Sequence, residues 1–197
     1  MPKDKAETAA AERPLTGLDV EPAPLSEAMT QYYRKCDEKL GFVPNVLKAY
    51  SFDMAKLEAF VRMVDDLMLA PSGLSKLERE MIAVVVSSVN HCHYCLVSHG
   101  AAVRYHSGDP HLAETLVANY RAATLTDRQR AMLDFAWKIT ERPAEIGDED
   151  REALRRAGFS DRDIWDVVLV AGFFNMSNRV ASGVAMEPNV EYYAMAR

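Results

Sequence analysis

No stretch of this chain approaches the roughly 18 consecutive apolar residues that a membrane-crossing helix needs; the best candidate, 167–174, falls well short. Basic residues are short too. The 23 Lys and Arg stand against 29 Asp and Glu, a net charge of -6 that argues against nucleic acid or an anionic membrane as partner. Residues 1–24 mix Lys, Asp, Glu, Ala and Pro around no apolar centre, so they read neither as a signal peptide nor as an acid-poor transit peptide. A cytosolic location is the expectation. Cysteine is scarce, three residues in all, and in a reducing compartment a Cys-x-x-Cys pair serves catalysis or metal binding more often than structure.

What is present is a helical pattern. About half of the 197 residues are apolar, enough for one buried core. The four prolines of residues 1–24 mark a flexible arm able to dock on the body or on a neighbouring subunit. The domain is expected over 25–190, with a tail over 191–197. Residues 25–40 form an amphipathic helix with Ser26 as cap and Gly41 as stop, 46–50 a short helix, and 52–69 a helix with apolar residues at helical spacing. Ser75 with Glu78 makes a capping box for a helix to about Val89, and its apolar stretch 81–86 implies burial at the domain centre. Asp109-Pro110 predicts a helix with Pro at its first position. Thr126 with Gln129 opens another to about Glu141, 149–157 is a short charged helix stopped by Gly158, and Ser160 with Asp163 opens the last long one, 161–182. With no sustained strand alternation, the fold is expected to be an all-α, single-domain bundle of seven to nine helices.

The informative segment is Asn90-His91-Cys92-His93-Tyr94-Cys95-Leu96-Val97-Ser98-His99. If it is helical from about Cys92, then at about 100° per residue Cys95 and His99 lie within about 60° of Cys92 on one face. The i, i+3 spacing lets the two sulfurs close a disulfide with little backbone movement. Free N–H groups in a first helical turn stabilise a thiolate, and His99 can hold or relay a proton. Two other readings compete. The cysteines can be small apolar residues packed in the core, or Cys92, Cys95 and His99 can bind zinc with His91 or His93, although no second Cys or His pair follows downstream. Glu80 adjoins the apolar stretch, where an inward carboxylate has a raised pKa suited to proton transfer; facing outward, it pairs with Lys76. Asn175, Asn178 and Arg179 share a polar face that suits caps, inter-helix bonds or a subunit contact, and Cys36 reads as a bystander.

Glu80 followed by Cys92-x-x-Cys95-x-x-x-His99 resembles the alkylhydroperoxidase D group of the carboxymuconolactone decarboxylase superfamily, and most closely its peroxidase-related branch. The resemblance extends to Gly41-Phe42-Val43-Pro44-Asn45, to Val89-Asn90, and to Phe173-Phe174-Asn175 with Asn178-Arg179. It implies a helical subunit that assembles into dimers, trimers or hexamers and reduces hydroperoxides without metal, flavin or nucleotide. Cys95 is then the peroxidatic thiolate, Cys92 the resolving thiol, and Glu80 with His99 the proton relay. Electrons would come from a dithiol donor such as a lipoyl-carrying protein. The chain departs from the founding members at Tyr94, where they carry histidine. The rivals are a lactone decarboxylase of the sister branch and a non-enzymatic helical assembly.

Overall fold

The computed structural model describes residues 14–197, and among them the secondary structure is helical throughout, with no strand. In chain order the helices are α1 (Glu27–Leu40), α2 (Asn45–Tyr50), α3 (Met54–Val64, continued by a π-helical turn, Asp65–Leu69), α4 (Lys76–Val89), α5 (His93–Ser107), α6 (Leu112–Asn119), α7 (Asp127–Glu141), α8 (Asp148–Arg156), α9 (Asp161–Gly183) and α10 (Glu191–Ala194). Nine of the described helices have six residues or more, in line with the expected bundle. None is long and apolar enough to cross a membrane.

The caps explain most of the boundaries. Ser26 accepts the Met29 N–H at 3.3 Å, and Gly41 ends α1 in the left-handed region that glycine adopts without penalty. The boxes at Ser75, Thr126 and Ser160 all close with their expected partners. The first box is then tied to its neighbours: Glu78 Oε1 accepts from Arg128 Nε at 3.1 Å, and Arg128 also donates to the Gly158 and Gly73 carbonyls. One boundary differs from expectation. Pro110 does not open a helix, because Asp109 Oδ1 accepts the His111 N–H at 2.8 Å; this local turn holds the chain out of helix until Leu112.

Helix α4 is the axis of the fold, packed by α5, α6, α7 and α9. Residues Met81, Ile82, Ala83, Val84, Val85 and Val86 are all buried, as an all-apolar stretch requires. Arg79, also buried, has no acidic partner among the described residues; its guanidinium donates to the carbonyls of Leu67, Ala70 and Leu74 and so pins the π-helical turn and the loop after it.

The described part of the expected arm lies against the end of α9: Gly17 N–H donates to Val184 O at 2.7 Å and Glu187 N–H to Leu15 O at 3.1 Å. The rest of that arm, 1–13, lies outside the described residues. In the C-terminal segment, α10 is held to α5 by Arg104, which donates to Tyr192 O at 2.8 Å and Met195 O at 3.1 Å.

Candidate active site

Cys92 is the N-cap of α5 and Cys95 sits in its first turn, so both sulfurs stand where helix N–H groups lack intrahelical partners. The preceding turn is strained: His91 has φ 53°, a left-handed conformation unusual for a side chain with Cβ. It follows the C-cap of α4, and the Cys92 N–H then donates back to Ser87 O at 3.0 Å. The two cysteines are reduced and buried, 1% and 3% exposed. They belong to a small apolar cluster of their own with Tyr94, Ala181 and Met186, beside the main core.

The sulfurs are not equivalent. Cys92 forms no side-chain capping bond of the usual kind, yet its thiol is held down to about 6, first by the Cys95 thiol that donates to it, then by the Cys95 N–H, the Ser182 hydroxyl and the charge of His99. Cys95 is pushed up, because it is the donor in that pair, because it is buried, and because the Cys92 charge repels its own. The two shifts run in opposite directions, so the pair favours a single negative charge, with Cys92 pushed toward ionisation and Cys95 away from it. Cys36, on α1, is raised chiefly by burial.

Glu80 turns inward. Its Oε2 lies 2.6 Å from His99 Nδ1, joining the middle of α4 to the second turn of α5, and the His99 ring packs edge-on against Phe174 at 4.5 Å. A carboxylate only accepts, so Nδ1 carries the proton and Nε2 is the nitrogen left to exchange one. The four predicted site residues thus come together. His93 does not join them; its Nε2 meets the Tyr193 hydroxyl at 3.0 Å. Among the described residues no three His, Cys, Asp or Glu side chains are arranged to hold a metal ion, so the geometry gives the zinc reading no support.

Tyr94 is occupied elsewhere. Its hydroxyl accepts the Val46 N–H at 2.9 Å, capping the start of α2 together with Asn189 Oδ1, which accepts the Asn45 N–H at 2.6 Å. Two neighbours of the sulfurs escaped the sequence reading, Ser182 beside Cys92 and Ser87 beside Cys95, while Asn178, expected on a polar face suited to inter-helix bonds, also lies beside Cys95. A serine at the end of an otherwise apolar helix was the available signal. None of the four site residues lines the two surface clefts of about 320 and 300 Å³, one lined by Asp66, Trp165 and Leu169, the other by His91, Arg121 and Trp137.

The model of the carboxymuconolactone decarboxylase family matches residues 56–136. An uncharacterised peroxidase-related protein from Silicibacter sp. TM1040 is 61% identical, with 94% of this chain and 97% of that one covered and a TM-score of 0.91. A second, from Ralstonia eutropha JMP134, described as an alkylhydroperoxidase AhpD core, is 41% identical over 94% and 98% of the two chains, with a TM-score of 0.90. The debrominase Bmp8 shares the fold at 16% identity, covering 90% and 96%, with a TM-score of 0.73. No curated protein matches the chain.

Proposed function

The chain belongs to the AhpD-like, peroxidase-related group of the carboxymuconolactone decarboxylase family, and on that premise we propose that it is a thiol-dependent peroxidase acting through Cys92 and Cys95. The observation that carries this reading is a buried, reduced Cys92–Cys95 pair at the start of α5, with Cys92 pushed down by its neighbour, beside a His99–Glu80 couple able to move protons.

The resting pair is Cys92 thiolate and Cys95 thiol. Cys95 passes its proton to Cys92 and attacks the terminal oxygen of a hydroperoxide, breaking the O–O bond and becoming a sulfenic acid. The alkoxide leaves as alcohol with the proton that Cys92 returns through His99. Cys92, a thiolate again, attacks the Cys95 sulfur and closes the disulfide, while a second proton, drawn from solvent through Glu80 and His99, releases the oxygen as water. The sum is one hydroperoxide and one proton consumed with the thiolate–thiol pair, giving disulfide, alcohol and water. Intrinsic nucleophilicity falls with pKa, which suits the more basic Cys95 to attack and the pre-ionised Cys92 to resolve.

A dithiol, such as a lipoyl-carrying protein, restores the pair in a cytosolic setting. The working form is a homo-oligomer, which light scattering tests directly.

The experiment is dimedone trapping with mass mapping. Cys95→Ser is expected to abolish peroxide consumption and leave nothing to trap, and Cys92→Ser to accumulate a sulfenic acid at Cys95; label on Cys92 in the Cys95→Ser protein would reverse the roles. Glu80→Gln and His99→Ala are expected to slow consumption by about 10²–10⁴-fold. No activity with any dithiol donor would remove the peroxidase reading.

A further inference from the structure

Behind Cys95 runs a row of hydrogen-bonded side chains whose direction is set at its far end. Arg179 is exposed on α9, and a guanidinium has only donors. The two Asn175 oxygens that meet its Nη1, the backbone O at 2.6 Å and Oδ1 at 3.0 Å, must therefore accept. This fixes the Asn175 amide, whose Nδ2 donates to Thr140 Oγ1 and Ala171 O, both at 3.0 Å. An oxygen in that place demands a donor from Asn90. Its Nδ2 supplies one at 3.1 Å, and its other N–H goes to Asn178 Oδ1 at 2.9 Å. The Asn178 oxygen being spent, its Nδ2 donates to Ser87 Oγ at 2.9 Å.

Two hydrogens remain at the near end, the second N–H of Asn178 and the hydroxyl hydrogen of Ser87. Asn178 and Ser87 are also the two uncharged side chains that favour a charge on Cys95, so the Cys95 sulfur is the acceptor to which we assign these hydrogens. Ser87 is 0% and Asn178 1% exposed, so water does not compete for either group. Reversing Asn175 or Asn178 would set donor against donor along the row, and reversing Asn90 would set acceptor against acceptor.

We propose that Arg179, acting through Asn175, Asn90, Asn178 and Ser87, makes the wall behind Cys95 a one-way set of donors, so that Cys95 releases its proton only toward Cys92 and is stabilised once it is negative. The proposal deepens the peroxidase reading and rests on its assignment of Cys95 as the attacking sulfur. Ser87 and Asn178 are the members of the row that act on the Cys95 sulfur itself; Asn90, Asn175 and Arg179 are positioning residues. The titratable groups facing Cys95 are Cys92 and Tyr94 from α5 and Tyr50 from α2, with His99 and Glu80 beyond Cys92, while from α9 come Asn178 and, behind it, Arg179.

The test is the ionisation of Cys95 alone, read as thiolate ultraviolet absorbance against pH in a Cys36→Ala, Cys92→Ala protein. Ser87→Ala is expected to lower the thiolate population at a given pH about tenfold, the value of one hydrogen bond to a charge. Arg179→Leu is expected to lower it about threefold, because the Asn175 oxygen then loses its charged donor and only the Ala171 carbonyl still orients that amide, and Arg179→Lys to restore it. The Arg179→Leu effect should persist in high salt, which screens an exposed charge but leaves amide orientation unchanged. Titrations of Ser87→Ala and Arg179→Leu that superimpose on the parent, or an Arg179→Leu effect that vanishes in salt, would overturn the proposal. Should Ser87→Ala fail to fold, the exposed Arg179 series decides. A parent protein that consumes no peroxide, yet whose Cys95 titration responds as stated, would sink the peroxidase reading alone and leave the donor wall standing.

Discussion

The uneven sharing of charge between Cys92 and Cys95 predicts a two-step titration. Cys92 falls from an ordinary value of 9.0 to about 6; at pH 7 a thiol near 6 is about nine-tenths ionised, and one near 9 only about one-hundredth. In reduced Cys36→Ala protein, the absorbance of one thiolate should therefore appear around pH 6, and that of the second only in strong alkali. The Cys95 thiol is the largest single cause of the Cys92 shift, so Cys95→Ala should raise the Cys92 midpoint by about one to two pH units, the worth of a charged hydrogen bond. The same shift acts on stability. Because the folded value of Cys92 is depressed, its contribution is fully present above the unfolded value near 9 and is lost as pH falls through about 6. The raised Cys95 acts oppositely, but only above its own ordinary value. Between pH 6 and 9 the denaturation midpoint of the reduced protein should thus climb with pH, while the oxidised protein should lack this rise. Two thiolates appearing together between pH 8 and 9 would refute the shared-charge geometry.

Two further substitutions test the frame around the site. Arg79→Met strips the donors from three carbonyls that hold the π-helical turn and the loop before α4, and should cost about 3 kcal/mol in urea unfolding, with the loss showing first as faster amide exchange over 65–74. Tyr94→Phe leaves the Val46 N–H without its acceptor and should cost about 1–2 kcal/mol in the same assay, with peroxide consumption close to the parent's, since this hydroxyl caps α2 and does not carry protons.

The helices were legible wherever a cap and an apolar period agreed. Ser75 with Glu78, Thr126 with Gln129 and Ser160 with Asp163 each fixed a start by local chemistry, and the run at Met81 placed α4 at the centre. Pro110 misled because the Asp109 side chain competes for the same backbone, and nothing in the residue order weighs a local turn against a first helical position. At the site, the convergence of Cys92, Cys95 and His99 followed from helical spacing. Glu80 did not, because only the packing of α4 on α5 selects His99 over Lys76. Ser87, Asn178 and Ser182 approach the sulfurs from two other helices, a relation carried by tertiary packing alone.

The same asymmetry bears on the return half of the cycle. When a dithiol donor attacks the Cys92–Cys95 disulfide, the sulfur with the lower thiol pKa leaves faster, and that sulfur is Cys92, whose charge the Cys95 N–H, Ser182 and His99 already favour. Donor attack should then fall on Cys95 and place the mixed disulfide there, with Cys92 released as the thiolate that the next turnover needs as proton acceptor. On the proposed mechanism Cys95 would receive the peroxide oxygen and the donor sulfur in turn, while Cys92 would alternate between base, resolving nucleophile and leaving group. A monothiol analogue of the donor, added to oxidised protein and quenched with acid, should be recovered in disulfide linkage to the Cys95 peptide. Recovery on the Cys92 peptide would show that access to the sulfurs, and not leaving-group ability, directs the attack.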